Sequence, residues 1–264
     1  MELAHVAGRT VATRAAASSP LKLLIPRRPG PAAWVYTSTH GGGLVAGDRI
    51  DLTIRLGPNS KCTISTQSST KVYRNPTGIP CRQSLQAFID QGATLVVAPD
   101  PVTCFAGAAY EQTQRFDIQS GGGLVLIDWL TSGRHACGER WAFSWYRSRF
   151  EVFLENDRLL TDALLLDPHH GPLDSPFRLG RFNCLAVIVM IGERFDHVSR
   201  EILAAVGSKP LKKNPSLIEA VSPIRHGAIW KIVGMAPEQV GRLLHRRLDS
   251  LREVLGDVPW SRKW

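Results

Sequence analysis

The chain has 264 residues, 44% hydrophobic and 21% charged, the balance of a globular protein long enough to bury a core without disulfide staples. That excludes intrinsic disorder and a disulfide-knit miniprotein. Lys+Arg outnumber Asp+Glu by 32 to 23, and the net charge of +9 divides almost evenly, +4 up to residue 132 and +5 beyond it, so no basic tail or stripe marks a nucleic-acid binder.

The first twenty residues are rich in Ala, Arg and Ser and superficially resemble an organelle transit peptide. Gly41-Gly42-Gly43-Leu44-Val45-Ala46-Gly47-Asp48 is the first turn signal. After it, Ile50, Leu52, Ile54 and Leu56 alternate with polar residues and predict a half-buried strand. Gly57-Pro58-Asn59 stops that strand, and Cys62, Ile64 and Thr66 resume the alternation, which predicts a hairpin. Leu85, Ala87 and Ile89 form a further strand ending at Asp90-Gln91-Gly92. Thr94 to Ala98 is a short β-branched run ended by Pro99. Gly121-Gly122-Gly123 precedes Leu124 to Ile127, a run suited to a strand buried on both faces. Phe150, Val152 and Leu154 alternate before the turn at Glu155-Asn156-Asp157.

Helix signals come late. Val198 to Val206 predicts a short helix. A second starts at Ala236-Pro237, carries Val240, Leu243, Leu244, Leu248, Leu251, Val254 and Leu255 at helical spacing, and closes at Gly256. Its apolar stripe is expected to pack on a β core. Ser208 to Ser216 reads as a surface loop, and there is no internal repeat. The pattern predicts a mainly β protein, a sandwich or related layered architecture, in one domain spanning residues 1–264.

The five cysteines (Cys62, Cys81, Cys104, Cys137, Cys184) are odd in number and contain no CxxC pair, so a reducing compartment is expected. The longest apolar run, Cys184 to Ile191, is far short of the roughly 20 residues of a membrane helix.

Three segments concentrate chemistry. The Gly41–Asp48 stretch mimics a dinucleotide fingerprint, but a strand follows it where that motif needs a helix. It also mimics a phosphate loop, but Asp48 stands at the lysine position and would repel phosphate. A glycine-rich turn between strands, capped by Asp48, is the simplest reading. Thr66 to Arg74 (TQSSTKVYR) packs hydroxyls, an amide and two cations together without a nucleophile elbow, and suits an edge strand with a polar face. Gly133 to Glu139 (GRHACGE) carries His135 and Cys137, which would face one side of an extended strand and form a weak metal pair. His169-His170 is a weaker candidate still. One mechanism drawn from these residues is a metal-dependent hydrolase using Asp48, His135 and Glu139.

Taken in order, HGGGLVAGDRI (His40 to Ile50), TQSSTKVYR and GRHACGE resemble the signature of the UreD (UreH) family of urease accessory proteins. SPLKLLIP (Ser19 to Pro26), GATLVVAPDPVTCFAGAAYEQ (Gly92 to Gln112) and the terminal PWSRKW extend the resemblance to nearly the whole chain, and DWLTSGR (Asp128 to Arg134) is closer to the eukaryotic form. The resemblance implies a strand just before SPLKLL, so residues 8–17 are expected to be folded rather than a cleaved leader. It implies stacked sandwich- or β-helix-like layers with two short helices toward the C-terminus.

The resemblance also implies a function: a non-catalytic cytoplasmic chaperone. It would bind apo-urease and a UreF-type protein, which recruits a UreG-type GTPase, in a unit that pairs with a second copy. Nickel in transit would be the cargo, no cofactor would stay bound, and neither nucleic acid nor membrane would be a partner. An internal water-filled path is the implied nickel route. Imidazole and thiolate would trap Ni²⁺, whereas oxygen donors let it leave. The motif oxygen donors Asp48, Glu139, Ser68 and Thr70 are therefore the expected path residues. Lys71, Tyr73 and Arg74 would brace the wall, since a cation in the path would repel the ion. Gly42, Gly43, Gly47, Gly133 and Arg134 would support the motif. His135 and Cys137 depart from the family pattern, and His40 has similar status.

Overall fold

The computed structural model describes residues 1–210 and 213–261. Leu211 and Lys212 of the expected surface loop, and the last three residues of PWSRKW, lie outside the described residues.

The strands in chain order are β1 (Glu2–Val6), β2 (Arg9–Arg14), β3 (Leu21–Leu24), β4 (Ala33–Thr39), β5 (Arg49–Leu56), β6 (Lys61–Thr66), β7 (Thr70–Val72), β8 (Cys81–Ile89), β9 (Thr94–Val97), β10 (Val102–Cys104), β11 (Ala109–Ile118), β12 (Gly123–Thr131), β13 (Trp145–Leu154), β14 (Asp157–Leu166) and β15 (Cys184–Ile191). Helix α1 (Asp196–Gly207), strands β16 (Leu217–Ile224) and β17 (Gly227–Gly234), and helices α2 (Pro237–Arg247) and α3 (Leu251–Leu255) complete the chain. They form a seven-stranded sheet, β14-β13-β11-β8-β5-β1-β2, and a ten-stranded sheet, β16-β17-β15-β12-β9-β6-β4-β3, with β10 and β7 appended beside β12.

The chain winds as a coil. From β4 to β13 it alternates between the sheets, so β4, β6, β9 and β12 are parallel in one sheet and β5, β8, β11 and β13 are parallel in the other. Each β5→β6 type connection is therefore an arch between sheets, and the hairpin expected at Gly57-Pro58-Asn59 is absent. Alternation identifies strands but not whether the next strand returns to the same sheet; here Leu56 and Cys62 both point into the gap between sheets and are buried there. The arches stack. Asn59 N–H donates to Gln91 O at 2.9 Å, and Gly92 N–H donates to Ser120 O at 3.3 Å. Gly92 is at φ +65, a conformation that favours glycine, and a Cβ there would lie 2.5 Å from Asn59 Oδ1, so any side chain would also have to displace the Asn59 amide.

Residues 9–14 are strand β2, as the expected fold of the N-terminal segment required. The long apolar helix expected from residue 237 is broken into α2 and α3 around Leu248, whose φ of −109° leaves the helical region. Asp249 and Ser250 follow it, residue types whose side chains compete for backbone partners. The stripe still packs as expected: Val240, Leu243, Leu244, Leu248, Leu251 and Leu255 join one core with Trp34, Trp230 and Met190 on the outer face of the ten-stranded sheet. A second apolar core fills the gap between the sheets near the arches, and a third lies under the long loops at the opposite end. Among the described residues no helix is long and apolar enough to cross a membrane.

Candidate functional site

Every connection from the ten-stranded sheet to the seven-stranded sheet emerges at the same end, because the strands before it are parallel. Segments 40–48, 67–80, 98–108 and 132–144 therefore stack as one loop layer, which gathers the three sequence motifs. The glycine-rich segment lies between β4 and β5, consistent with a turn between strands. Leu44 N–H donates to Lys71 O at 2.8 Å, and Tyr73 N–H donates to Leu44 O at 2.9 Å. Gly43 sits under this contact with extended backbone, and a Cβ there would lie 2.6 Å from the Tyr73 ring and 2.9 Å from Lys71 O. Strand β7 pairs onward with β10, which pairs with β12.

Side chains tie the same layer. The Tyr73 and Phe105 rings meet edge to face at 5.2 Å, and the Arg134 guanidinium lies over Phe105 at 4.2 Å. Arg134 also donates to Glu139 Oε2 at 2.9 Å and to Glu139 Oε1, while Glu139 accepts from Ala106 N–H at 3.1 Å. Arg134 beside it holds the Glu139 carboxyl below its ordinary pKa. Asp48 accepts from Val45 N–H at 2.9 Å and closes its own turn. Arg74 packs its side chain against Gly107, 3.3 Å from where a Cβ would stand. Gly42 and Gly47 adopt positive φ in the first loop, and Gly133 does so at the start of the third motif. His40 begins a tight turn through Gly41 and Gly42, both at positive φ.

His135 and Cys137 lie in a one-turn helix, both exposed, rather than on one side of an extended strand. Gly138 in the left-handed conformation ends that turn. His169 pairs through Nδ1 with Asp167 at 2.9 Å. Among the described residues no three His, Cys, Asp or Glu side chains are grouped to hold a metal ion, so Asp48, His135 and Glu139 are not brought together as a hydrolytic site.

Behind the loop layer lies a polar seam between the sheets. In the seven-stranded sheet, Ile50, Gln83, Gln112, Ser148 and Leu164 share one inward-facing row across β5, β8, β11, β13 and β14. Opposite them stands Asp128 of β12. Gln112 Nε2 donates to Asp128 Oδ1 at 3.0 Å, and Ser148 Oγ donates to Asp128 Oδ2 at 2.5 Å. The Tyr110 hydroxyl donates to Gln83 Oε1 and lies 3.1 Å from Gln112 Oε1. Asp128 lies deep in the protein, yet part of its surface remains accessible because it borders a cavity. Burial pushes its pKa up, against the hydrogen bonds from Ser148 and Gln112, which pull it down.

That cavity has a volume of about 110 Å³ and is lined by Thr37, Ser65, Thr66, Thr70, Gln83, Gln112, Gln114, Asp100 and Asp128 among apolar neighbours. A second compartment of about 40 Å³ shares Thr37, Thr66, Thr70 and Gln83 with it and reaches the loop layer at Gly42, Ser68 and Ser69. Thr70 therefore lines both compartments and Ser68 lines the outer one. Asp48, Glu139, Lys71, Tyr73 and Arg74 belong to the surrounding loop layer and not to the lining of either compartment. The lining contains neither histidine nor cysteine.

The sequence model of the family described as "UreD urease accessory protein" matches residues 1–264. The chain belongs to the UreD family of urease accessory proteins. Urease accessory protein UreD of Sorangium cellulosum (strain So ce56) is 45% identical over 261 residues, 98% of this chain and 82% of that protein. Urease accessory protein D of Arabidopsis thaliana is 35% identical over 286 residues, 97% of each chain. The UreD protein of Anaeromyxobacter sp. (strain Fw109-5) is 38% identical over 99% of this chain and 88% of its own length. Among the cavity-lining residues of this UreD-family chain that sequence reasoning did not single out is Asp128. A lone Asp inside the apolar run Leu124-Val125-Leu126-Ile127-Asp128 of a buried strand was the available signal.

Proposed function

We propose that this chain is a non-catalytic scaffold for urease maturation. It binds apo-urease together with a UreF-type protein, which brings a UreG-type GTPase, and works in the cytoplasm. Nickel is its cargo and passes through the polar seam. The observation that supports this reading is the cavity itself. It is a space between the sheets whose apolar walls carry hydroxyls, amides and two carboxylates, Asp100 and Asp128, bordered by two apolar cores.

The donor chemistry suits transfer rather than storage. Divalent nickel binds imidazole and thiolate strongly, and the lining has neither. Scattered oxygen donors compensate part of the ion's lost hydration and release it again. Ser68 and Thr70 provide oxygens at the mouth, and Asp128, held by Gln112 and Ser148, provides a carboxyl group opposite that row. Lys71 and Arg74 stay in the loop wall, outside the space the ion would occupy. Asp48 and Glu139 keep the wall closed by capping a turn and clamping Arg134.

The assembly is tested by co-expressing the tagged chain with apo-urease and a UreF-type protein from the same source, followed by size exclusion. Co-elution is expected. A well-folded chain that elutes alone, with both partners soluble and competent, would overturn the scaffold reading.

A further inference from the structure

Beyond Asp128, toward the far side of the sandwich, the gap between the sheets narrows to a void of about 10 Å³. Asp128, Ser148, Tyr146 and Asp162 line it among Leu130, Leu164, Leu185 and Val187. Asp128, Val187 and Lys231 occupy one row across β12, β15 and β17, so Lys231 projects from the ten-stranded sheet on the same face as Asp128, two strands away. Across the gap Asp162 faces inward from β14, the last strand of the other sheet. Lys231 Nζ donates to Asp162 Oδ2 and joins the two sheets where the seam meets the surface. The lysine side chain is 49% exposed and the aspartate 15%. The pair thus lies at the boundary, with the carboxylate inside and the ammonium outside.

We propose that the Lys231–Asp162 pair is an electrostatic latch closing the far end of the seam. The proposal rests on the nickel-transfer reading and adds to it the residue that controls exit. A fixed ammonium at the end of a cation path repels an arriving divalent ion. It also occupies Asp162, the carboxylate that would otherwise be the last oxygen donor before the surface. Opening requires the ammonium to swing into solvent, which its exposure and flexible stem permit. A carboxylate-bearing surface docked at this edge would draw the ammonium away and free Asp162. Transfer would then be coupled to assembly with the acceptor. The latch is a positioning device: Lys231 does not hold the ion and acts by controlling Asp162.

The test uses the full chain assembled with apo-urease and its UreF-type and UreG-type partners, with nickel incorporation into urease followed over time. Lys231→Met keeps the stem and removes the charge; it is expected to raise the initial rate at least threefold at low ionic strength. Wild type should approach the variant rate as salt is raised, because screening weakens the latch, while Lys231→Met should show no such acceleration. Lys231→Arg should restore the slow, salt-sensitive rate. Asp128→Ala, measured in parallel, separates the two layers of the argument. If Asp128→Ala slows loading and Lys231→Met matches wild type at every salt concentration, the latch is overturned and the path stands. If neither variant alters loading, the path fails and the latch with it. A slower Lys231→Met would also overturn the latch.

Discussion

Gly43→Ala isolates how the loop layer is built. Gly43 has an extended backbone with φ 177, so alanine meets no conformational penalty there. The obstacle is contact: the new methyl would lie 2.6 Å from Tyr73 Cε2 and 2.9 Å from the backbone carbonyl of Lys71. The ring can turn, but the carbonyl moves only with strand β7. Overpacking of this kind costs about 1–3 kcal/mol. Displacing β7 also strains the two hydrogen bonds between Leu44 and residues 71 and 73, each worth about 0.5–1.5 kcal/mol net. The sum is about 2–6 kcal/mol, and at roughly 2–4 °C per kcal/mol the melting temperature should fall by about 4 °C or more. Gly42→Ala is the control. Gly42 has φ +73 with open space around its Cα, so alanine there meets only the left-handed penalty of about 1–2 kcal/mol. Circular dichroism melts of both variants give the comparison. If Gly43→Ala loses no more stability than Gly42→Ala, the packing of the glycine-rich loop on β7 is not what holds the layer.

Asp128→Asn preserves the shape of the carboxylate and removes its charge. Burial raises the Asp128 pKa in spite of its two hydrogen bonds, so stability is lost as pH rises from the ordinary carboxylate range through the raised folded pKa, and the loss is complete above it. The variant should therefore melt higher than wild type at pH 8, with the difference shrinking as pH falls, while nickel loading drops; a variant less stable at pH 8 would contradict the sign. Thiol labelling gives a separate check. Cys137 is exposed and the other four cysteines are buried, with Cys81 pushed up to about 11 and Cys184 to about 12. A maleimide should modify one thiol rapidly in the folded protein and five after denaturation; rapid labelling of two or more in the folded state would refute the burial of these four thiols.

Much of the architecture was legible in the chain. Alternating residues marked β5, β6, β8 and β13, and the buried run after Gly123 marked β12, because these strands each face either one core or two. Connectivity was not legible: Gly57-Pro58-Asn59 fits a hairpin and an arch equally well by composition, and only the second sheet decides between them. The one-turn helix at His135 was hidden for a similar reason, since three residues carry no period. The polar seam was the hardest part to foresee. Gln83, Gln112 and Ser148 are separated by 29 and 36 residues in sequence and become neighbours only through the register of three parallel strands. The motif residues attracted attention because they cluster in sequence. Several of them, including Gly43, Tyr73, Arg134 and Glu139, assemble the loops around the seam, while Thr70 and Ser68 open onto it.

The most direct test of nickel passage plugs the seam where its two compartments meet. Thr37 lines both, and Thr37→Phe would place a ring in the shared opening. Urease matured with this variant, in a complex verified by size exclusion, should be purified and its nickel measured by mass spectrometry. The interior path predicts urease of normal yield but low nickel content. Full nickel occupancy with a folded, assembled Thr37→Phe chain would contradict passage through this protein.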